Sequence, residues 1–255
     1  MKKILTIILV VCFVFQTGIV LAAGTKQDWQ DRKEIRAEKN EVHTQAKLDY
    51  QNDRTDKNNQ LVIDSGKDLL NALLDEVEVW LLWQESRISQ DDNVSVQLKE
   101  KVSTDVNNNL SKIKDLKDEV DAVQTKIQLG VISLKMVGSY LELLVDVARN
   151  SGLAWVEVGE NLIEISSGYE EKLRAAAEVV KDNEEIISKL DLAESSVVLA
   201  TTYINDAKDQ YNQVVMPGTP LVKFGNGNKK ISQARLELNK ANQLLIQSLE
   251  MIIKQ

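Results

Sequence analysis

No proline occurs between Thr25 and Met216, a stretch of 192 residues that holds only six glycines, at 66, 130, 138, 152, 159 and 168. Proline removes a backbone donor and clashes with the preceding turn, so its absence leaves this chain free to run in very long helices. Apolar residues recur at three- and four-residue steps over most of the stretch, and no alternating strand pattern is found. The expected fold class is all-α: an elongated antiparallel bundle of four to five long helices with coiled-coil-like packing.

The spacing predicts a first helix from about Asp28 to Ile88 with two unlike halves. Lys26 to Gln60 carries 8 basic and 8 acidic residues and only a thin apolar stripe of Ile35, Val42 and Ala46. Residues 24–60 are therefore expected as a polar helical extension, loosely packed, with the bundle proper over 61–255. From Leu61 onward Leu70, Leu73, Leu74, Val77, Trp80 and Leu81 mark a buried face. Ser89-Gln90-Asp91-Asp92-Asn93 reads as a turn, with Asn93 or Ser95 as cap. A second helix then extends to about Arg149. Its seam passes through Val102, Val106, Ile113, Leu116, Val120 and Val123, and onward through Ile127, Val131, Leu134, Val137 and Leu141.

Asn150-Ser151-Gly152 predicts a helix end and reversal. A third helix spans roughly Leu153 to Lys189, with a kink at Ser167-Gly168, and Asp191 with Glu194 sets a boundary near Leu190. A fourth runs to Val215 through Val197, Ala200, Ile204, Ala207 and Tyr211. Both prolines fall in Met216-Pro217-Gly218-Thr219-Pro220, and together with Phe224-Gly225-Asn226-Gly227 they predict a loop. Asn228 is expected to cap a fifth helix that faces inward through Ala234, Leu238, Ala241 and Leu245.

Residues 1–23 have the order of a secretory signal. A basic Met1-Lys2-Lys3 is followed by an apolar core from Ile4 to Phe15, broken only by Thr6, and then by small residues at Gly18, Ala22 and Ala23. Cleavage is expected after Ala22 or Ala23, and the chain is expected to be exported: secreted, periplasmic or at the cell surface. The competing reading is an uncut anchor, since Ile4 to Ala23 is about long enough to span a bilayer. Cys12 is not expected to carry lipid, because Val11 stands where a small residue is required. It is the only cysteine, so the processed chain has no thiol and forms no disulfide. Losing Lys2 and Lys3 leaves 29 basic against 39 acidic residues, a charge of −10 where the full chain has −8. That balance argues against nucleic acid and anionic membrane surfaces as partners.

Chemistry is sparse. His43 is the only histidine and sits in the most polar part of the chain, where it is expected to be an idle surface residue. A histidine-based triad needs an oriented base in a protected cleft, and a di-metal carboxylate bundle needs two Glu-x-x-His pairs. Asp75, Glu76 and Glu78, and Glu157, Glu160 and Glu164, are expected to be solvated helix faces; no catalytic residue, metal site or cofactor is expected. Trp80, Trp83 and Trp155 are expected in the core, with partner binding as the alternative. Asn93-Val94-Ser95 and Asn109-Leu110-Ser111 match the glycosylation sequon. Six apolar residues around the proline loop, Val214, Val215, Met216, Leu221, Val222 and Phe224, are expected to cap the end of the bundle, with a contact loop for a partner or membrane as the alternative.

Export and a long helical seam without catalytic chemistry lead to a non-enzymatic exported bundle, a scaffold or protein-binding module at or beyond the cell surface. Its expected partner is another protein, with homo-oligomers open. The alternative is a membrane-active or pore-forming component: in layout alone, with no shared motif, the chain resembles the all-helical pore-forming toxins. A third reading, a periplasmic chaperone-like binder, lacks the basic cradle such a protein would use.

Overall fold

The computed structural model describes residues 23–254. The signal segment, with Cys12 and Ala22, lies outside the described residues, which begin at Ala23. Six helices and no strand are found among them: α1 Ala23–Asn52, α2 Asp56–Ser89, α3 Val96–Asp121, α4 Lys126–Ala177, α5 Glu184–Asn212 and α6 Pro220–Lys254. The all-α class stands, but the count is six where four or five were expected.

The differences have local causes. The single helix expected over 28–88 breaks at residues 53–55, where the Thr55 side chain accepts from the Asn58 amide and caps α2. The expected second helix breaks at 122–125. There the Thr125 hydroxyl accepts from the Gln128 amide at 3.2 Å, and the Gln128 side chain reaches back to the amides of Gln124 and Thr125. This is a reciprocal capping box, and it starts α4. Asn150-Ser151-Gly152 does not reverse the chain: α4 runs straight through it for 52 residues. The true end is at Ala177, where Asn183 donates to the Ala177 carbonyl and Asp182 adopts φ 54° in the connection to α5. Asp191 and Glu194 are not a cap; both accept from Arg174 of α4. Ser95, one of the two expected caps, accepts from the Leu98 amide. Pro220 opens α6 at a position whose amide has no helical partner anyway. Phe224-Gly225-Asn226-Gly227 is therefore helix, not loop.

Contacts divide the chain into two compact units. One comprises 23–91 and 99–147. Within it α1 and α2 are antiparallel, joined by Arg36–Glu76, Lys39–Asp68 and His43–Ser65. α2 and α3 are antiparallel through Lys67 to the Asp121 carbonyl and Lys117 to Asp75 and Glu78. α3 and the first part of α4 are antiparallel through Glu119–Lys135 and Lys112–Glu142. The stretch expected as a loose extension is thus paired with α2, and Trp29 of α1 stacks on Trp83 at 5.2 Å. Its thin stripe still tells: Ala46 is the one buried α1 side chain among the described residues.

The other unit comprises 92–98 and 148–254. The second part of α4, α5 and α6 run antiparallel in turn, through Glu160–Lys208, Arg174–Asp191 and Asp206–Lys230. Ala193, Ala200 and Ala207 on α5, and Gly227, Ala234, Ala241 and Ser248 on α6, are all buried and all seven residues apart. Small side chains at that spacing let the two helices approach closely. Tyr211 closes one end of this core, fully buried, its hydroxyl donating to Asn228 Oδ1 at 2.7 Å. Asn228 serves there as acceptor and lies inside α6, not at its cap.

Candidate functional site

The first part of α4 carries apolar residues on two opposite faces. At about 100° per residue, Ile132, Met136 and Leu143 share one face, and all three are buried, as is Leu129 at its edge. Ile127, Val131, Val137 and Leu141 all lie within about 60° of Leu134, an arc of about 120° on the opposite face. These five are 81, 62, 76, 60 and 48% exposed. The sequence seam is buried as expected at Val102, Val106, Ile113, Leu116, Val120 and Val123, with Leu110 half-buried. Beyond the 122–125 break Ile127, Val131, Leu134, Val137 and Leu141 point outward, and Leu144 and Ala148 are half-buried. The break explains the correction: carrying one phase of three- and four-residue steps across it selects the wrong one of α4's two apolar stripes. Gly130 and Gly138 belong to the outward face, and a Cβ on either would meet nothing within 4 Å.

Charges leave this face clear. Lys135 and Glu142 flank it, and each is engaged sideways by α3, by Glu119 and Lys112 respectively. On the α1 side the stripe borders a groove of about 490 Å³, floored by Leu70, Leu73 and Val77 of α2 and walled by Val137, Tyr140 and Leu141. The Arg36–Glu76 ion pair stands at its edge. The groove exists because α1 has too few apolar side chains to fill the space beside α2 and α4.

No protein-family model, curated protein or solved structure matches this chain. Its site is therefore read from its own residues.

His43 is half-buried, not idle on the surface: its Nδ1 lies 3.0 Å from Ser65 Oγ, and that hydroxyl donates to the Leu61 carbonyl at 2.6 Å. Burial, and then the neighbouring Lys47, hold the imidazole below its ordinary pKa. Neither member of the pair lines the groove, so the contact is a tie between α1 and α2. The acids expected to be solvated mostly work as ties as well. Asp75 and Glu78 grip Lys117, whose pKa burial would lower but which their hydrogen bonds raise. Glu157 accepts from the amide and hydroxyl of Ser95, while Glu164 is exposed.

Trp83 is buried and Trp80 half-buried, whereas Trp155 is 42% exposed. Asn109 is buried with its side chain on Asp146, out of reach of glycosylation in the folded chain. The candidate contact loop splits. Val214 is buried and Phe224 packs against Tyr211, while Val215, Met216, Leu221 and Val222 are exposed. Among the described residues no helix is long and apolar enough to cross a membrane, and no cluster of three metal-ligating side chains is found.

Proposed function

We propose that this chain is an exported, non-enzymatic helical protein that acts as a scaffold or protein-binding module at or beyond the cell surface. One observation carries the reading: α4 turns a contiguous, uncharged apolar stripe outward although its opposite face already fills its own unit. A fold that needed only its own core would place polar residues there, since an exposed apolar patch of this kind costs solubility unless something covers it. Export rests on the order of residues 1–23, and the acidic balance keeps nucleic acid off the surface.

The test compares the chain with a Leu134→Glu variant as baits against cell-surface and medium proteins of its host. Capture that is lost in the variant supports the module; equal capture by both removes the stripe from the account. Neutral lipid vesicles give the opposing arm. No dye release is expected, and full release replaces this reading with the membrane-active one.

A further inference from the structure

We propose that the outward face of α4 docks a second copy of this chain, antiparallel, about a two-fold axis beside Leu134. The inference rests on the reading of this face as a protein-binding surface, and names its occupant.

The residues of the face are arranged symmetrically around Leu134. Val131 and Val137 stand three residues to either side, Gly130 and Gly138 four, and Ile127 and Leu141 seven. A two-fold contact brings each position opposite its mirror position in the other copy, so the surface must complement itself. Laid antiparallel about Leu134, two copies set Ile127 level with Leu141, Val131 level with Val137, and Leu134 beside Leu134. Large aliphatic side chains meet large ones throughout. Gly130 comes level with Gly138 on both sides of the axis, and neither glycine has a neighbour in its own chain that its missing side chain serves. Two open glycines therefore become the places where the helix backbones close in. A foreign partner demands no such mirror order.

Electrostatics permit the contact. No charge lies on the stripe, and Lys135 and Glu142 beside it keep their α3 partners, so docking strands no buried ion. Size sets its strength. From Ile127 to Leu141 the face is about 21 Å long, one helix wide, and falls short of the roughly 800 Å² per copy of a standard stable interface. The expected dimer is weak, with dissociation in the micromolar range.

The test uses the full chain expressed for export, in a Cys12→Ser background so that an introduced cysteine is the only thiol. Sedimentation velocity across the micromolar range is expected to show a monomer–dimer equilibrium, weakened at least about tenfold by Leu134→Glu. Leu134→Cys is expected to form a disulfide-linked dimer on mild oxidation, while Leu236→Cys, exposed on α6, does not. Mixing Ile127→Cys with Leu141→Cys chains is expected to give the mixed dimer in excess over either self-linked one. Self-linked Ile127→Cys in excess would overturn the antiparallel register. A monomer at every concentration would overturn the second copy as occupant. Loss of partner capture in Leu134→Glu would then leave the binding reading standing with a foreign partner; unchanged capture would remove both.

Discussion

Tyr211 fills its place in the core because two glycines make room for it. A Cβ on Gly152 would lie 2.3 Å from its ring, and one on Gly227 2.5 Å, whereas a Cβ on Gly168 meets nothing within 4 Å. Gly152→Ala is therefore expected to cost about 1–3 kcal/mol through overpacking. Gly168→Ala should gain up to about 1 kcal/mol of helix propensity. Thermal unfolding of the two variants checks the contrast, and a shift in the same direction for both would contradict it. In the sequence Gly152 reads as a helix end and Gly168 as a kink, because a glycine alone does not say whether the backbone or a neighbour requires it. Only the packed partner, Tyr211, decides, and it lies far away along the chain.

His43 makes a second prediction at this scale. Its folded pKa is lowered by burial and then by Lys47, so the folded state binds fewer protons than the unfolded one. The stabilising contribution of the contact is complete above the ordinary value of 6.5 and is lost as pH falls below it. An NMR titration of this single imidazole should give a midpoint below 6.5; one at or above that value would contradict its half-buried place.

At the scale of elements, periodicity located helical segments well and their ends less well. The interior positions of α5 and α6, from Val197 to Tyr211 and from Ala234 to Leu245, were legible because one strong stripe runs along each helix. The breaks at 53–55 and 122–125 carried signals that are weaker than proline: Thr55 as cap, and Thr125 with Gln128 at capping-box spacing. Missing the second of these hid the site. With 94–149 read as one helix, the outward residues of α4 continue the seam of α3 and look buried. The chain in fact reverses, and α4 has a free choice between two apolar faces that periodicity cannot rank. The choice has a measurable consequence. Met136→Ala should cost about 2–5 kcal/mol as a core truncation. Leu134→Ala should change the stability of the monomer by less than about 0.5 kcal/mol. Chemical denaturation at low protein concentration checks both, and a larger loss at Leu134 would return α4 to its sequence-based orientation.

Across the whole molecule, the chain combines a net charge of −8 with an outward apolar stripe on α4 that bears no charge. Long-range repulsion between copies is screened by salt, while apolar contact is not weakened by it. Self-association through α4 should therefore hold or strengthen as ionic strength rises, which sedimentation in low and high salt can read. A dimer that dissociates in salt would point to ion pairs and away from this face. The helical class was legible because it is written in contiguous residues. The face was not, because which of two stripes turns outward depends on where three other helical segments pack. One measurement addresses that orientation most directly: the thiol modification rates of Leu134→Cys and Met136→Cys, each in the Cys12→Ser chain at high dilution. Cysteine at 134 should react nearly as fast as a free thiol and cysteine at 136 only slowly; fast reaction at 136 with protection at 134 would contradict the account.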